Sequence, residues 1–121
     1  MIINYKGLVD LEIGGKVISF KFNMAAFTLL NDLQNCSMRE LSVQLSDPKF
    51  STFANFLYAG AETAYLQDGK NADAKGKRTF TQFDGPEWMN QLDVDKVHSL
   101  LGKAFEVPES KNDQPLETQG N

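Results

Sequence analysis

The chain has 121 residues, of which 12 are basic and 16 acidic, so its net charge is −4. The length suits one small domain, and the mild acidity disfavours a dedicated nucleic-acid binder, because such proteins gather a basic excess on one face. The only cysteine, Cys36, excludes an internal disulfide. We expect a cytoplasmic protein that does not enter a membrane, because the sequence has neither a signal-peptide pattern nor an apolar run of about 18 residues.

Residues 7–22 are predicted to form a β-hairpin around Gly14 and Gly15, because two glycines supply the positive φ that a two-residue turn requires. If Ile13 pairs with Lys16, strand alternation places six apolar side chains on one face. These are Val9, Leu11, Ile13, Ile18, Phe20 and Phe22. The opposite face, expected to be mostly solvated, carries Leu8, Asp10, Glu12, Val17, Ser19 and Lys21. Helices or another subunit must cover the apolar face, since an isolated hairpin is only marginally stable.

Two helices are predicted directly after the hairpin. Asn23 is suited to cap the segment MAAFTLLNDLQ, in which apolar residues recur at helical spacing. Ser37 and Glu40 form an S-x-x-E capping box, which predicts a short second helix that runs through Leu45.

The longest predicted helix runs from Asp47 to Leu66, and we expect the rest of the chain to pack on it. Asp47 is suited to be its cap, Pro48 suits its first turn, and Gly69 suits its end. The apolar line predicted to face the hairpin consists of Phe50, Phe53, Leu57, Ala61 and Tyr65.

Phe56 and Gly60 lie on a second line of this helix. The helix is therefore either enclosed on several sides or meets a partner helix along this line. The partner interpretation predicts that Phe56→Asp spares folding, whereas Leu57→Asp unfolds the domain.

The segment from Asp68 to Thr79 has no periodicity and is interpreted as a mobile, solvated loop. Its basic residues are Lys70, Lys75, Lys77 and Arg78. The alternative is a contact with an acidic protein surface or with nucleic acid, for which Phe80 and Phe83 would be stacking neighbours.

Two more helices and a tail complete the predicted architecture. Asp84 begins a short helix that carries Trp88, and Asp93 caps the last helix, VDKVHSLLGKAF. The predicted fold is α+β, mainly α, with an N-terminal β-hairpin packed on a bundle of about five helices. Residues 1–107 form a single globular domain, and residues 108–121 form a disordered polar tail.

No catalytic residue, cofactor or metal site is predicted. His98, the only histidine, has no partner residues that would make a catalytic or metal site. Cys36 precedes a helix N-terminus, which could lower a thiol pKa, but no second histidine is present to activate it. An enzyme or small-ligand binder would rest on these two residues alone.

Three segments carry a family resemblance: IGGKVISFKFNMAAFTLLNDL, FANFLYAGAE and LDVDKVHSLL. Together with the short capped helix between the first two, they resemble the tail assembly chaperones of long-tailed phages and prophages over about residues 13–105. That family has a hairpin entering an Asn/Asp-Met-x-Ala helix and a later helix with a Leu-Tyr/Trp-Ala-Gly core. The matching residues are Asn23, Met24, Ala26 and Leu57-Tyr58-Ala59-Gly60. The basic loop at 69–79 and the Trp88 helix depart from the pattern.

The resemblance implies a non-enzymatic protein that uses no cofactor. Its partners would be the tape measure protein, kept soluble until tail tube subunits polymerise around it, and possibly the tail tube protein, in the bacterial host cytoplasm. The alternative is a structural tail or head-completion component of the virion.

A partner surface for amphipathic helices needs adaptable apolar side chains. The residues predicted to form it are Met24, Phe27, Met38, Phe56, Gly60 and Met89. The edge strands of the hairpin would also allow homo-oligomers to form.

Overall fold

The computed structural model describes residues 2–3, 7–92, 95–96, 99 and 102. These residues contain an antiparallel sheet followed by four helices, so the described part is mainly helical with an N-terminal hairpin, as predicted. The strands, in their order across the sheet, are β1 (Ile2–Ile3), β2 (Leu8–Ile13) and β3 (Lys16–Lys21). The helices are α1 (Met24–Gln34), α2 (Met38–Ser46), α3 (Phe50–Asp68) and α4 (Asp84–Gln91). Most of the fifth predicted helix and the whole predicted tail lie outside the described residues.

The hairpin formed by β2 and β3 has the predicted register. Its six pairs run from Leu8 opposite Lys21 to Ile13 opposite Lys16. Both turn glycines have positive φ, and all six side chains of the predicted apolar face are buried. The short strand β1, which pairs with β2, was not predicted.

The second face of the hairpin is less solvated than predicted, because the C-terminal end of α3 reaches it. Leu8, Ser19 and Lys21 are buried. The Lys21 ammonium group pairs with the carboxylate of Asp68 at 2.9 Å, and the Ser19 hydroxyl donates to Asp10 at 2.7 Å. Asp10, Ser19 and Lys21 are therefore paired with each other or with α3.

The first two helices begin at the predicted caps. The Asn23 side chain accepts a hydrogen bond from the N–H of Ala26 at 3.1 Å. At the start of α2, Ser37 and Glu40 form both bonds of the capping box. The hydrogen bonds from Ser37 hold the pKa of Glu40 below its ordinary value.

The start of α3 differs from the prediction. Asp47 ends α2 instead of capping α3, and the N-cap is Lys49, whose side chain makes no cap bond. A residue before proline is disfavoured in the helical region, and Asp47 accordingly has φ −143°. Phe50, now the first helical residue, is 75% exposed, so its predicted place in the core is wrong. Gly69 ends the helix as predicted, with φ 68°.

α3 packs closely on β3 at Gly60. A Cβ atom at Gly60 would lie only 2.5 Å from Cε1 of Phe22 and 3.2 Å from Cβ of Phe20. The ring of Phe56 stacks on Phe22, with 4.4 Å between centroids, and Phe56 is 1% exposed. The proposal that Phe56 and Gly60 face a partner is therefore wrong, because this line of α3 is enclosed by the sheet.

α4 crosses α3 at a second close approach. A Cβ atom at Gly85 would lie 2.6 Å from the carbonyl oxygen of Ala54. This brings Trp88 onto the core, where its ring meets Phe20 edge-on at 5.5 Å and Phe80 at 6.1 Å. Aromatic contacts consequently connect the sheet to α4 and to the loop that precedes it.

Gly60→Ala should destabilise the protein by roughly 1–3 kcal/mol, because the added methyl group would overlap the ring of Phe22. This loss of stability would have to exceed the gain in helix propensity, because alanine is favoured over glycine in a helix by up to about 1 kcal/mol. Urea unfolding followed by circular dichroism measures the difference. Ser51→Ala, at an exposed position of the same helix, is the control and should stay within about 0.5 kcal/mol of the wild type. A Gly60→Ala variant as stable as the wild type would contradict the close approach.

Candidate interaction surfaces

The six residues predicted to bind a partner do not form one surface. Met24 and Met38 are 67% and 54% exposed, at the first positions of α1 and α2. The other four residues are half-buried against the core or fully buried: Phe27, Met89, Phe56 and Gly60. Of this set, Met24 and Met38 remain available to a partner.

Two phenylalanines outside the predicted surface for amphipathic helices are the most exposed large apolar residues described. Phe50 is 75% exposed and Phe83, directly before α4, is 86% exposed. Phe50 lies one helical turn before Ala54, and Phe83 lies two residues before Gly85, which packs on Ala54. Both residues therefore lie close in the chain to this helix crossing in the N-terminal half of α3.

α2 adds two exposed apolar side chains to the same half of α3. The side chain of Gln34, on α1, donates to Gln44 of α2 at 2.9 Å and accepts from Asn55 of α3 at 2.6 Å. This polar network places α2 beside the first half of α3. We use the term apolar group for the exposed side chains on these elements: Met38, Val43, Phe50 and Phe83.

Two signals in the sequence could have indicated Phe50 and Phe83. Pro48 restricts Asp47 to extended backbone, which moves the helix start to Phe50 and leaves its ring exposed at the first helical position. Phe83 precedes the Asp84 helix start and falls outside the apolar spacing of that helix. Without the packing of Gly85 on Ala54, however, the sequence does not bring the two rings together.

Cys36 lies between α1 and α2 and is half-buried. Its sulfur is 3.7 Å from the amide oxygen of Gln44 and 3.9 Å from Nδ2 of Asn31. Amide groups do not take a proton from a thiol, so these neighbours do not activate it. His98 lies outside the described residues.

The described part of the chain contains neither a cluster of metal-ligating side chains nor a helix that could span a membrane. There, three or more His, Cys, Asp or Glu side chains do not come together in a way that could hold a metal ion. None of the helices in this part has both the length and the apolar content needed to cross a bilayer. A hollow beside the hairpin turn is lined in part by Glu12, Lys96 and Ser99.

The loop between α3 and α4 makes more contacts than the predicted mobile loop would. Ala72 and Arg78 form a β-bridge. On either side of it, the N–H of Thr79 donates to the carbonyl of Asn71, and the N–H of Asp73 donates to that of Lys77, both at 2.8 Å. The loop is therefore a short hairpin-like projection.

Asn71 attaches this loop to the sheet. Its Oδ1 accepts from the N–H of Ser19 at 2.9 Å, and its Nδ2 donates to the carbonyl of Ser19 at 2.8 Å and to that of Ala61 at 3.1 Å. The side-chain amide thus replaces the peptide group of a neighbouring strand. Asn71 has φ 56°, in the left-handed region that asparagine tolerates better than most residues.

Arg78 joins the loop to α3. Its guanidinium group forms a bidentate ion pair with Glu62, which raises the pKa of Arg78, and it lies 4.7 Å from the centre of the Tyr65 ring. The Tyr65 hydroxyl donates to the carbonyl of Gly76 at 3.0 Å. Arg78, unlike the lysines of this loop, is therefore committed to a contact within the fold.

Comparison of the chain with protein-family models, with curated proteins and with solved structures gave no match.

Substitution by aspartate should have very different effects on stability at Phe50 and at Phe56, although both residues lie on the same helix. Phe56→Asp should unfold the domain, because losing a buried ring and burying an unpaired carboxylate costs more than about 4 kcal/mol. Phe50→Asp should change the free energy of unfolding by less than about 0.5 kcal/mol, since the side chain is already in solvent. Circular dichroism spectra and thermal melts measure both effects. Equal melting temperatures for the two variants would contradict the assigned burial.

Proposed function

We propose that this chain is a phage or prophage tail assembly chaperone. It binds the tape measure protein in the cytoplasm of the bacterial host and keeps it soluble until tail tube subunits polymerise around it. It does so as a binding protein, without catalysis or a cofactor. The resemblance over residues 13–105 motivates the proposal, and the exposure of the apolar group is the observation that carries it.

The apolar group has the chemistry that an amphipathic helix recognises. A tape measure protein is a long, apolar helical polypeptide, and such helices dock by inserting apolar side chains between those of a partner. Aromatic rings are common anchors of such interfaces, and methionine adapts its shape to different sequences. Covering a phenylalanine that is now in water would contribute about 1.5–3 kcal/mol, so Phe50 and Phe83 are the expected anchors.

The apolar group also replaces part of the predicted partner surface. Met38 is retained from the prediction, whereas Phe56 and Gly60 are excluded because they lie in the core. Met24 is exposed at the start of α1. The neighbouring Asn23 bonds to Gln67 at 3.0 Å, so Met24 lies near the C-terminal end of α3. Met24 is therefore not part of the apolar group.

Co-expression with the product of the adjacent tape measure gene should raise the soluble fraction of that product several-fold. Phe50→Ser combined with Phe83→Ser should lose most of this effect and leave the chaperone folded, because both side chains are in solvent. The matched control is Val17→Ser combined with Leu66→Ser, which also removes two exposed apolar side chains, 65% and 67% exposed, outside the apolar group. Centrifugation and quantitative gels measure the soluble fraction.

Two results would contradict the proposal: no gain in solubility with the wild type, or an equal loss in both double variants. Mass spectrometry of purified particles tests the alternative. A chaperone is absent from the finished particle, whereas a tail or head-completion component is present in it.

A further inference from the structure

The loop from Lys70 to Thr79 concentrates positive charge in an acidic protein. It carries four basic residues and one acidic residue, whereas the other 111 residues carry eight basic and fifteen acidic residues. All three of its lysines, Lys70, Lys75 and Lys77, are exposed. The loop is therefore a local positive feature on a surface that is otherwise negative on balance.

The charge of these lysines is not balanced inside the loop. Asp73, the only acidic residue of the loop, uses its Oδ1 to accept the backbone N–H groups of Lys75 and Lys77, at 2.8 and 2.9 Å. The two carboxylates in the second half of α3 are also occupied, because Glu62 pairs with Arg78 and Asp68 pairs with Lys21. Among the described residues, no carboxylate lies within 4.0 Å of a lysine ammonium group of this loop.

The shape of the loop is set before any partner arrives. Asn71 ties it to Ser19 and Ala61, Arg78 ties it to Glu62, and Tyr65 ties it to Gly76. A preformed loop loses less conformational entropy on binding than a flexible one, so its charges are more effective at recognition.

We propose that this loop is a docking site for an acidic segment of a protein partner, bound through Lys70, Lys75 and Lys77. Carboxylates are the groups that complement three ammonium groups left without an ion pair among the described residues, and complementary charge also accelerates encounter. The site is separate from the apolar group, and it stands whether or not the partner is a tape measure protein.

Nucleic acid fits this loop less well than an acidic protein segment. Binding of a single strand combines positive charge with aromatic faces for base stacking. Phe80 is 3% exposed, and Arg78 covers the ring of Tyr65, so neither of these rings is free to stack. Phe83 is 86% exposed but lies beyond the loop, directly before α4, so a single ring is left for stacking.

A fluorescein-labelled peptide of about eight glutamates, long enough at roughly 3.3 Å per residue to span the loop, is the probe. Fluorescence anisotropy with the full chain should show binding that weakens as salt is raised. The variant Lys70→Gln, Lys75→Gln, Lys77→Gln should bind at least about tenfold more weakly. The matched control Lys16→Gln, Arg39→Gln, Lys49→Gln removes three exposed charges elsewhere and should stay within about twofold of the wild type.

Three outcomes would overturn the proposal. They are no binding by the wild type, equal weakening in both triple variants, or tighter binding of a single-stranded DNA of matched charge than of the peptide. Asn71→Gly tests the contribution of the preformed shape, because glycine keeps the positive φ and removes the side-chain amide. We expect it to weaken peptide binding several-fold with all three lysines present, and an unchanged affinity would overturn that part of the proposal.

Discussion

The contact of Gly60 with the side chains of Phe20 and Phe22 is the constraint on which the rest of the structure depends. Because Gly60 has no side chain, α3 approaches the sheet closely enough for Phe56 to stack on Phe22. That stacking turns one side of α3 inward, and the same placement lets α4 cross at Ala54. The two proposed interaction surfaces then lie at opposite ends of α3, with Phe50 at its N-terminal end and the basic loop after its C-terminal end. Both proposed interaction surfaces follow from the position of this helix.

Features with local causes could be predicted from the sequence. The Gly14-Gly15 turn sets the hairpin register, because a two-residue loop leaves one pairing between its flanking strands. The capping box at Ser37 acts within four residues, and Gly69 ends a helix through its own backbone conformation. In each case the residues that cause the structure are close together in the chain.

Features that depend on distant residues could not be predicted. Helical spacing places Phe56 off the main apolar line, but α3 is buried along both lines, which removes the distinction between them. Asn71 reads as an ordinary loop residue, and its role arises from Ser19, which is 52 positions away. The candidate apolar surface was missed for the same reason, because it depends on the packing of Gly85 on Ala54, residues that are far apart in the chain.

The amide of Asn71 also determines how far the sheet could grow between copies of the chain. An exposed strand edge recruits another strand through its unpaired N–H and C=O groups. On β3 the central pair of these groups is already satisfied by Asn71, so a strand from a second molecule would have to displace the loop. Pairing with a second copy is therefore disfavoured along β3. The same amide that anchors the basic loop thus also blocks this edge of the sheet against aggregation.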